Sequence, residues 1–300
     1  MLKKNFAIIV IIAVLVCKTK SIKQETKGSV PTPVDSLTSM TTIGYDLSHP
    51  QKIWTLPDEL LEISGISWID ATHLLAIEDL RPYLYLLRLG DKVSIEKKIP
   101  FGKSSGNKFD VEDIAVVGNT AYALWSHGKI FKITDWKNKP QVQEIKTFLK
   151  KGNNTEGLCY DPVLKNLLVA CKNDADVEDE KKSTRSVYEF DIIADTLKAE
   201  PFLLIHKKDF TKKTGEKLDF YPSAIAVHPI TNDIYILSTK DNKCVAQYLH
   251  KGQLKSVQFL DKEMLPQPEG LCFAQDGTMF LCTEGKHGVP GRIYQFNYLK

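Results

Sequence analysis

Short apolar runs, rich in β-branched and aromatic residues and punctuated by Gly, Pro, Asn and Asp, recur from residue 52 to the C-terminus. That is the pattern of β-strands joined by tight turns rather than of helices. Within it one five-residue motif repeats: two small or acidic residues, Ile or Leu, a small residue, then a large one. It reads Ser64-Gly65-Ile66-Ser67-Trp68, Glu112-Asp113-Ile114-Ala115-Val116, Glu156-Gly157-Leu158-Cys159-Tyr160, Ser223-Ala224-Ile225-Ala226-Val227 and Glu269-Gly270-Leu271-Cys272-Phe273, at spacings of 48, 44, 67 and 46 residues. A turn follows each copy, at Gly118-Asn119, Asp161-Pro162, Pro229 to Asn232 and Asp276-Gly277 among others. These residues suit left-handed and Asx-type turns. Second strands are expected at Leu74–Ile77, Ala121–Trp125, Leu167–Cys171, Ile234–Leu237 and Met279–Cys282. Third and fourth strands follow in the first four units, and a third alone in the fifth.

Four strands in each unit of about 40–50 residues is the blade signature of a β-propeller. The expected fold is therefore all-β: a single propeller of four-stranded blades, with five blades favoured over six. Lys52–Leu56, just ahead of the first motif, supplies the strand missing from the last blade and closes the ring. Closure removes the open sheet edges. The long 67-residue interval carries two charged insertions, Asp174–Thr184 and Lys207–Phe220, read as loops rather than a further blade. A length of 300 residues by itself suggests two domains. The repeats use the whole of residues 43–300 and leave no second domain.

The motif series, with Leu74-Leu75-Ala76, Val111 before Glu112, Thr155 before Glu156, His228-Pro229 after Val227 and Pro268 before Glu269, resembles the SdiA-regulated family of bacterial envelope β-propellers. The resemblance runs from about Tyr45 to Tyr298. Weaker similarity extends to gluconolactonase-like and phytase-esterase-like propellers, which share Glu-Gly-Leu/Ile openings. The resemblance implies a propeller in the cell envelope and no assigned activity.

The N-terminus has a different character. Met1–Lys4 carries two lysines, Phe6–Val16 is unbroken apolar sequence, and Cys17 follows directly. A basic start and a short apolar core read as a signal peptide over residues 1–17, too short to span a bilayer comfortably. Cys17 is placed as in bacterial lipoprotein signals, although Val16 stands where a small residue is usual, so Cys17 is the candidate lipidation site. Lys18–Thr42, rich in Lys, Ser, Thr and Pro, reads as a flexible tether. Residues 43–300 are then a propeller held at a membrane of the bacterial envelope, expected to be monomeric. Charge adds little to this. Forty Lys and Arg against 37 Asp and Glu give +3, and loss of Lys3 and Lys4 with the leader brings the mature chain to +1. That balance argues against a nucleic-acid partner. Cys159, Cys171, Cys244, Cys272 and Cys282 lie in apolar strands without metal-site spacing and read as buried thiols.

Candidate chemistry follows from the blade geometry. The loop entering the innermost strand and the loop leaving the second strand lie on one face of a propeller. Ser64, Glu112, Asp113, Glu156, Ser223, Glu269 and Glu284 are thus expected around one channel mouth as a ligand-binding set, with Asp110, Lys172, Lys240, Tyr221 and His287 nearby. Converging carboxylates are the chemistry of a hard cation, so Glu112, Glu156 and Glu269 are candidate ligands for Ca²⁺. In lactonase-type propellers the matching Glu holds such a metal, which adds weight to Glu156 and Glu269. The competing reading has each acidic side chain cap amides of neighbouring inner strands. A hydrolytic site would use His127 beside Glu112, with Glu78 and Asp79 opposite, but no nucleophile elbow, P-loop or zincin motif accompanies them. The expected function is a binding module for a small-molecule, glycan or protein ligand. The alternative is a Ca²⁺-dependent hydrolase of lactones or phosphoesters.

Overall fold

The five motif copies form the innermost strands of five separate four-stranded antiparallel sheets. In this computed structural model, residues 43–102, 109–175, 177, 183–240, 243–286 and 288–299 are described. They belong to the second of two compact units, residues 40–300. Cys17 and the tether lie outside the described residues. Blade 1 comprises β2 (Ile63–Asp70), β3 (His73–Glu78), β4 (Tyr83–Leu89) and β5 (Val93–Pro100). Blade 2 comprises β6 (Val111–Val117), β7 (Thr120–Trp125), β8 (Ile130–Thr134) and β9 (Gln141–Ile145). Blade 3 has β10 (Thr155–Asp161), β11 (Asn166–Cys171), β12 (Arg185–Asp191) and β13 (Thr196–Ile205). Blade 4 has β14 (Pro222–Val227), β15 (Ile234–Ser238), β16 (Cys244–Tyr248) and β17 (Leu254–Phe259). Blade 5 has β18 (Pro268–Phe273), β19 (Met279–Thr283) and β20 (Arg292–Phe296), and its outer position is filled by β1 (Lys52–Thr55). The expected closing strand pairs with β20 in antiparallel register, Trp54 opposite Ile293. The protein is a five-bladed β-propeller.

Burial explains why the second strands are apolar on both faces. β15 and β19 are buried at every position, because strands flank each on both edges and an adjacent blade packs on each of its faces. The outer strands alternate or are exposed, as β9 shows with four exposed residues before Ile145. The apolar side chains gather into five cores, and each core joins two adjacent blades. Leu75, Ile77 and Leu84 of blade 1 meet Ile114, Ala123 and Phe131 of blade 2. Ile66, Leu74 and Tyr85 of blade 1 meet Cys272, Phe280 and Cys282 of blade 5. The ring is therefore closed by packing as well as by hydrogen bonds. The described cysteines are all buried, as expected.

The first and last segments clasp each other on the face of the β18–β19 turn. Ile43, Tyr45 and Leu47 are buried against blades 4 and 5. The Tyr45 hydroxyl donates to the Gly277 carbonyl at 2.5 Å, Tyr235 donates to Ile43 at 2.5 Å, and the Leu299 amide donates to Gly44 at 2.8 Å. One expectation needs correction. Part of the second insertion is a helix, α1 (Lys207–Thr214), rather than a loop. Phe210 anchors it, fully buried and stacked on Phe220 with centroids 4.6 Å apart. Gly215, at φ +78°, ends it in the left-handed C-terminal position that glycine favours.

Candidate functional site

Each inner strand breaks register with its partner at the motif's first residue. The shift falls between Ile63 and Gly65, Val111 and Asp113, Thr155 and Gly157, Pro222 and Ala224, and Pro268 and Gly270. Ser64, Glu112, Glu156, Ser223 and Glu269 are thus the extra residues of five equivalent bulges at one end of the channel. A bulge bends the strand and re-aims the side chain it carries. The second motif position is small for a different reason. A Cβ on Gly65 would lie 2.6 Å from Asp113 Oδ1, one on Gly157 3.0 Å from Ile225 Cγ2, and one on Gly270 3.2 Å from Ile66 Cγ1, each on the neighbouring inner strand. Inner strands approach too closely there for a larger side chain. Asp113 fits because it bonds across that gap: Oδ1 accepts from the Ile114 amide and Oδ2 from the Leu158 amide of blade 3, both at 2.8 Å. Burial pushes its carboxyl well above the ordinary range, against the pull of the two amides.

The five bulge residues divide into two kinds. The serines brace neighbours: Ser64 donates to the Val111 carbonyl at 2.7 Å and Ser223 to the Pro268 carbonyl at 3.4 Å. The glutamates surround a lysine. Lys172, just past the end of β11, donates to Glu156 Oε2 at 2.5 Å, and Asn154 donates to Glu156 Oε1 at 2.5 Å. Glu156 is 5% exposed. Burial alone would lower the Lys172 ammonium, but Glu156, Glu269 and Glu112 together hold it above its ordinary value. Burial, then Glu156 and Asp110, push the Glu112 carboxyl up to about 9. Burial pushes Glu269 up to about 8, with Lys172 opposing and Glu156 and Glu284 assisting. Glu284, which accepts from Gln267, rises to about 7 through burial, Glu62 and Asp79.

Burial thus favours the protonated forms of Glu112 and Glu269, and the central cation of the mouth is Lys172. Among the described residues neither Glu112 nor Glu269 makes a side-chain hydrogen bond to the protein, and no group of three or more His, Cys, Asp or Glu side chains is disposed to hold a metal ion. Deeper in the channel, motif positions three to five line a cavity of about 160 Å³, walled by Ile66, Ile114, Leu158 and Leu271 among others.

The hydrolytic trio is not assembled. Glu78 is buried and accepts from Arg81 Nε at 2.6 Å, the Leu80 amide at 3.1 Å and the Tyr85 hydroxyl at 3.3 Å. His127 is exposed and stacks on Trp125, with centroids 6.3 Å apart. Asp79 does border the mouth, where it helps raise Glu284. His287 lies outside the described residues. The sequence places Lys172 on the mouth face only as one residue leaving a second strand. Its central role comes from strand pairing, which sets Cys171, the residue before it, opposite Thr155, the residue before Glu156.

The sequence profile of the SdiA-regulated family matches residues 39–297. The chain belongs to that family. No curated protein matches it. Among solved structures it is similar to glutaminyl cyclase of Myxococcus xanthus, with TM-score 0.58 and 13% identity over 83% of this chain and 95% of that one. It is also similar to a Thermus thermophilus protein named as an oxidoreductase of glucose dehydrogenase type, with TM-score 0.50 and 9% identity over 82% and 99%. At such identities the likeness is one of fold alone.

Proposed function

We propose that this member of the SdiA-regulated family is a ligand-binding module of the bacterial cell envelope, and that its ligand enters the carboxyl-lined channel mouth. The observation that carries the reading is the pair Glu112 and Glu269, carboxyl groups with no hydrogen-bonding partner among the described residues, beside a fully paired Lys172–Glu156. Unsatisfied polar groups in a partly buried site are costly and call for an external partner. Lys172 takes the place of a resident cation. Calcium would have to displace its ammonium as well as the protons of Glu112 and Glu269.

The test is calorimetric titration of n-butylamine hydrochloride and, separately, of CaCl₂ into residues 43–300 at neutral pH. The amine should bind in the millimolar range, and the double variant Glu112→Gln, Glu269→Gln should lose it by tenfold or more. Calcium should bind only once Lys172→Met has removed the competing ammonium. Millimolar calcium binding by the unaltered protein, abolished by Glu156→Gln, would instead favour the calcium-dependent hydrolase. That reading has its own support in a Glu112 carboxyl that burial pushes upward near an ion-paired Glu156, the pairing of acid and base that hydrolysis uses. The tether is tested apart from the site. Cys17→Ser should move the full-length protein from the membrane fraction to the soluble one, and unchanged retention would refute the lipid anchor.

A further inference from the structure

The rim of blade 4 differs from the others. Its bulge carries Ser223, a serine that braces the Pro268 carbonyl, and the side chains around it are cationic. Lys240, past the end of β15, lies 4.7 Å from the centroid of the Tyr221 ring, and Arg185, at the start of β12, lies 4.8 Å from the same ring. Tyr221 directly precedes β14, and its amide is held by Ser238 Oγ at 3.0 Å. Lys243, just before β16, is partly buried and near enough to Glu269 for each to alter the other's ionisation. Among the described residues neither the Lys240 nor the Lys243 ammonium makes an ion pair or a hydrogen bond to the protein. Among the described residues, one mouth thus presents two carboxyl groups without partners on blades 2 and 5, and two ammonium groups without carboxylate partners on blade 4. Lys240 is exposed and Lys243 half-buried, so both ammonium groups are open to a ligand at this rim. Opposite charges set on one channel mouth, on blades 2 and 5 and on blade 4, suit a molecule that satisfies both.

We propose that the ligand of this mouth is a small zwitterion, an amino acid or amino-acid-like molecule, whose ammonium group is received by Glu112 and Glu269 and whose carboxylate is received by Lys240 and Lys243. This rests on the channel-mouth reading above and adds the chemical class. Tyr221, whose ring lies between Lys240 and Arg185, holds the Lys240 ammonium at the rim.

The experiment compares glycine, 4-aminobutyrate and 6-aminohexanoate, which set the two charges progressively further apart, with n-butylamine and butyrate, which carry one charge each. Binding is read by calorimetry and thermal shift in a buffer free of zwitterions. At least one zwitterion should bind ten times more tightly than both singly charged compounds. The variant Lys240→Met, Lys243→Met should bring that zwitterion down to the affinity that butylamine has for the same variant. The inference is overturned if butylamine binds as tightly as every zwitterion, in which case the carboxyl-lined mouth stands as a simple ammonium site. It is equally overturned if the lysine variant keeps the preference. If no probe binds at 50 mM, both this inference and the channel-mouth reading fail.

Discussion

Lys172→Met should destabilise the propeller by about 3–5 kcal/mol, the cost of removing one partner from a buried ion pair. Methionine preserves the length and apolar stem of the side chain, so the loss reports the charge rather than a cavity. Glu156, 5% exposed and held by Lys172 at 2.5 Å, is left without its cation. The penalty must depend on pH in a definite direction. Burial sets the folded pKa values of Glu112 and Glu269 at about 9 and about 8, above the ordinary value of 4.5. The native state therefore holds protons that the unfolded chain has released. Stability from these groups is fully present below about pH 4.5 and is lost as pH rises through the native pKa values. The unaltered protein should thus melt at progressively lower temperature between pH 5 and pH 9. Without Lys172 to oppose them, the native carboxyls should hold their protons to still higher pH, and the decline should steepen. Each kcal/mol corresponds to about 2–4 °C in a domain of this size, so melting curves at pH 5 and pH 9 resolve the effect. A variant that melts like the parent at both pH values would show that Lys172 is not the counter-cation of the mouth.

Asp113→Ala should be comparably damaging by another route. The carboxyl group accepts from the Ile114 and Leu158 amides at 2.8 Å each, one on its own strand and one on blade 3. Alanine leaves both donors buried and unsatisfied, at about 1–3 kcal/mol for each. Asparagine has one acceptor oxygen and turns an amide donor toward the other N–H, so Asp113→Asn should fall between parent and alanine. Chemical denaturation gives the order directly. A midpoint for Asp113→Ala within error of the parent would remove the account of Asp113 as the bracket between blades 2 and 3. Asp113 would then return to the set of residues available to a ligand.

Much of the fold was legible because a propeller repeats one local solution five times. The repeated five-residue motif, the turn chemistry and the spare strand at Lys52 each point to the same ring, and the count of five follows from them. What the motif meant position by position was less legible. The first residue sits on a bulge in every blade, but a bulge is a property of register between two strands and leaves no mark in one of them. The second residue is small because inner strands nearly touch at Gly65, Gly157 and Gly270, a contact between segments more than 40 residues apart. Helix α1 was hidden by its charge: Phe210 alone of its eight residues is buried, too little apolar pattern to show a helical period.

The candidate site was legible as a face but not as a charge state. Counting carboxyl groups at Glu112, Glu156 and Glu269 suggests an anionic cradle for calcium. Strand pairing brings Lys172 into their midst, and burial returns protons to Glu112 and Glu269, so the mouth is much less negative than its composition. His127 separated from the acids for a geometric reason. The turn after β7 carries it outward to stack on Trp125, and it shares a cleft of about 280 Å³ with Lys129 and Lys146 rather than the channel.

Glu112 and Glu269, raised by burial and without hydrogen-bonding partners among the described residues, are poised to receive a cationic group. Proton release measured in a pH-stat, as n-butylamine hydrochloride is added to residues 43–300 in unbuffered salt at pH 7, tests this most directly. Ammonium binding lowers the pKa of carboxyl groups that receive it, so about one proton should leave for each amine bound. The Glu112→Gln, Glu269→Gln variant should release none. Saturable amine binding with no proton release, or release that survives in the double variant, would contradict the account.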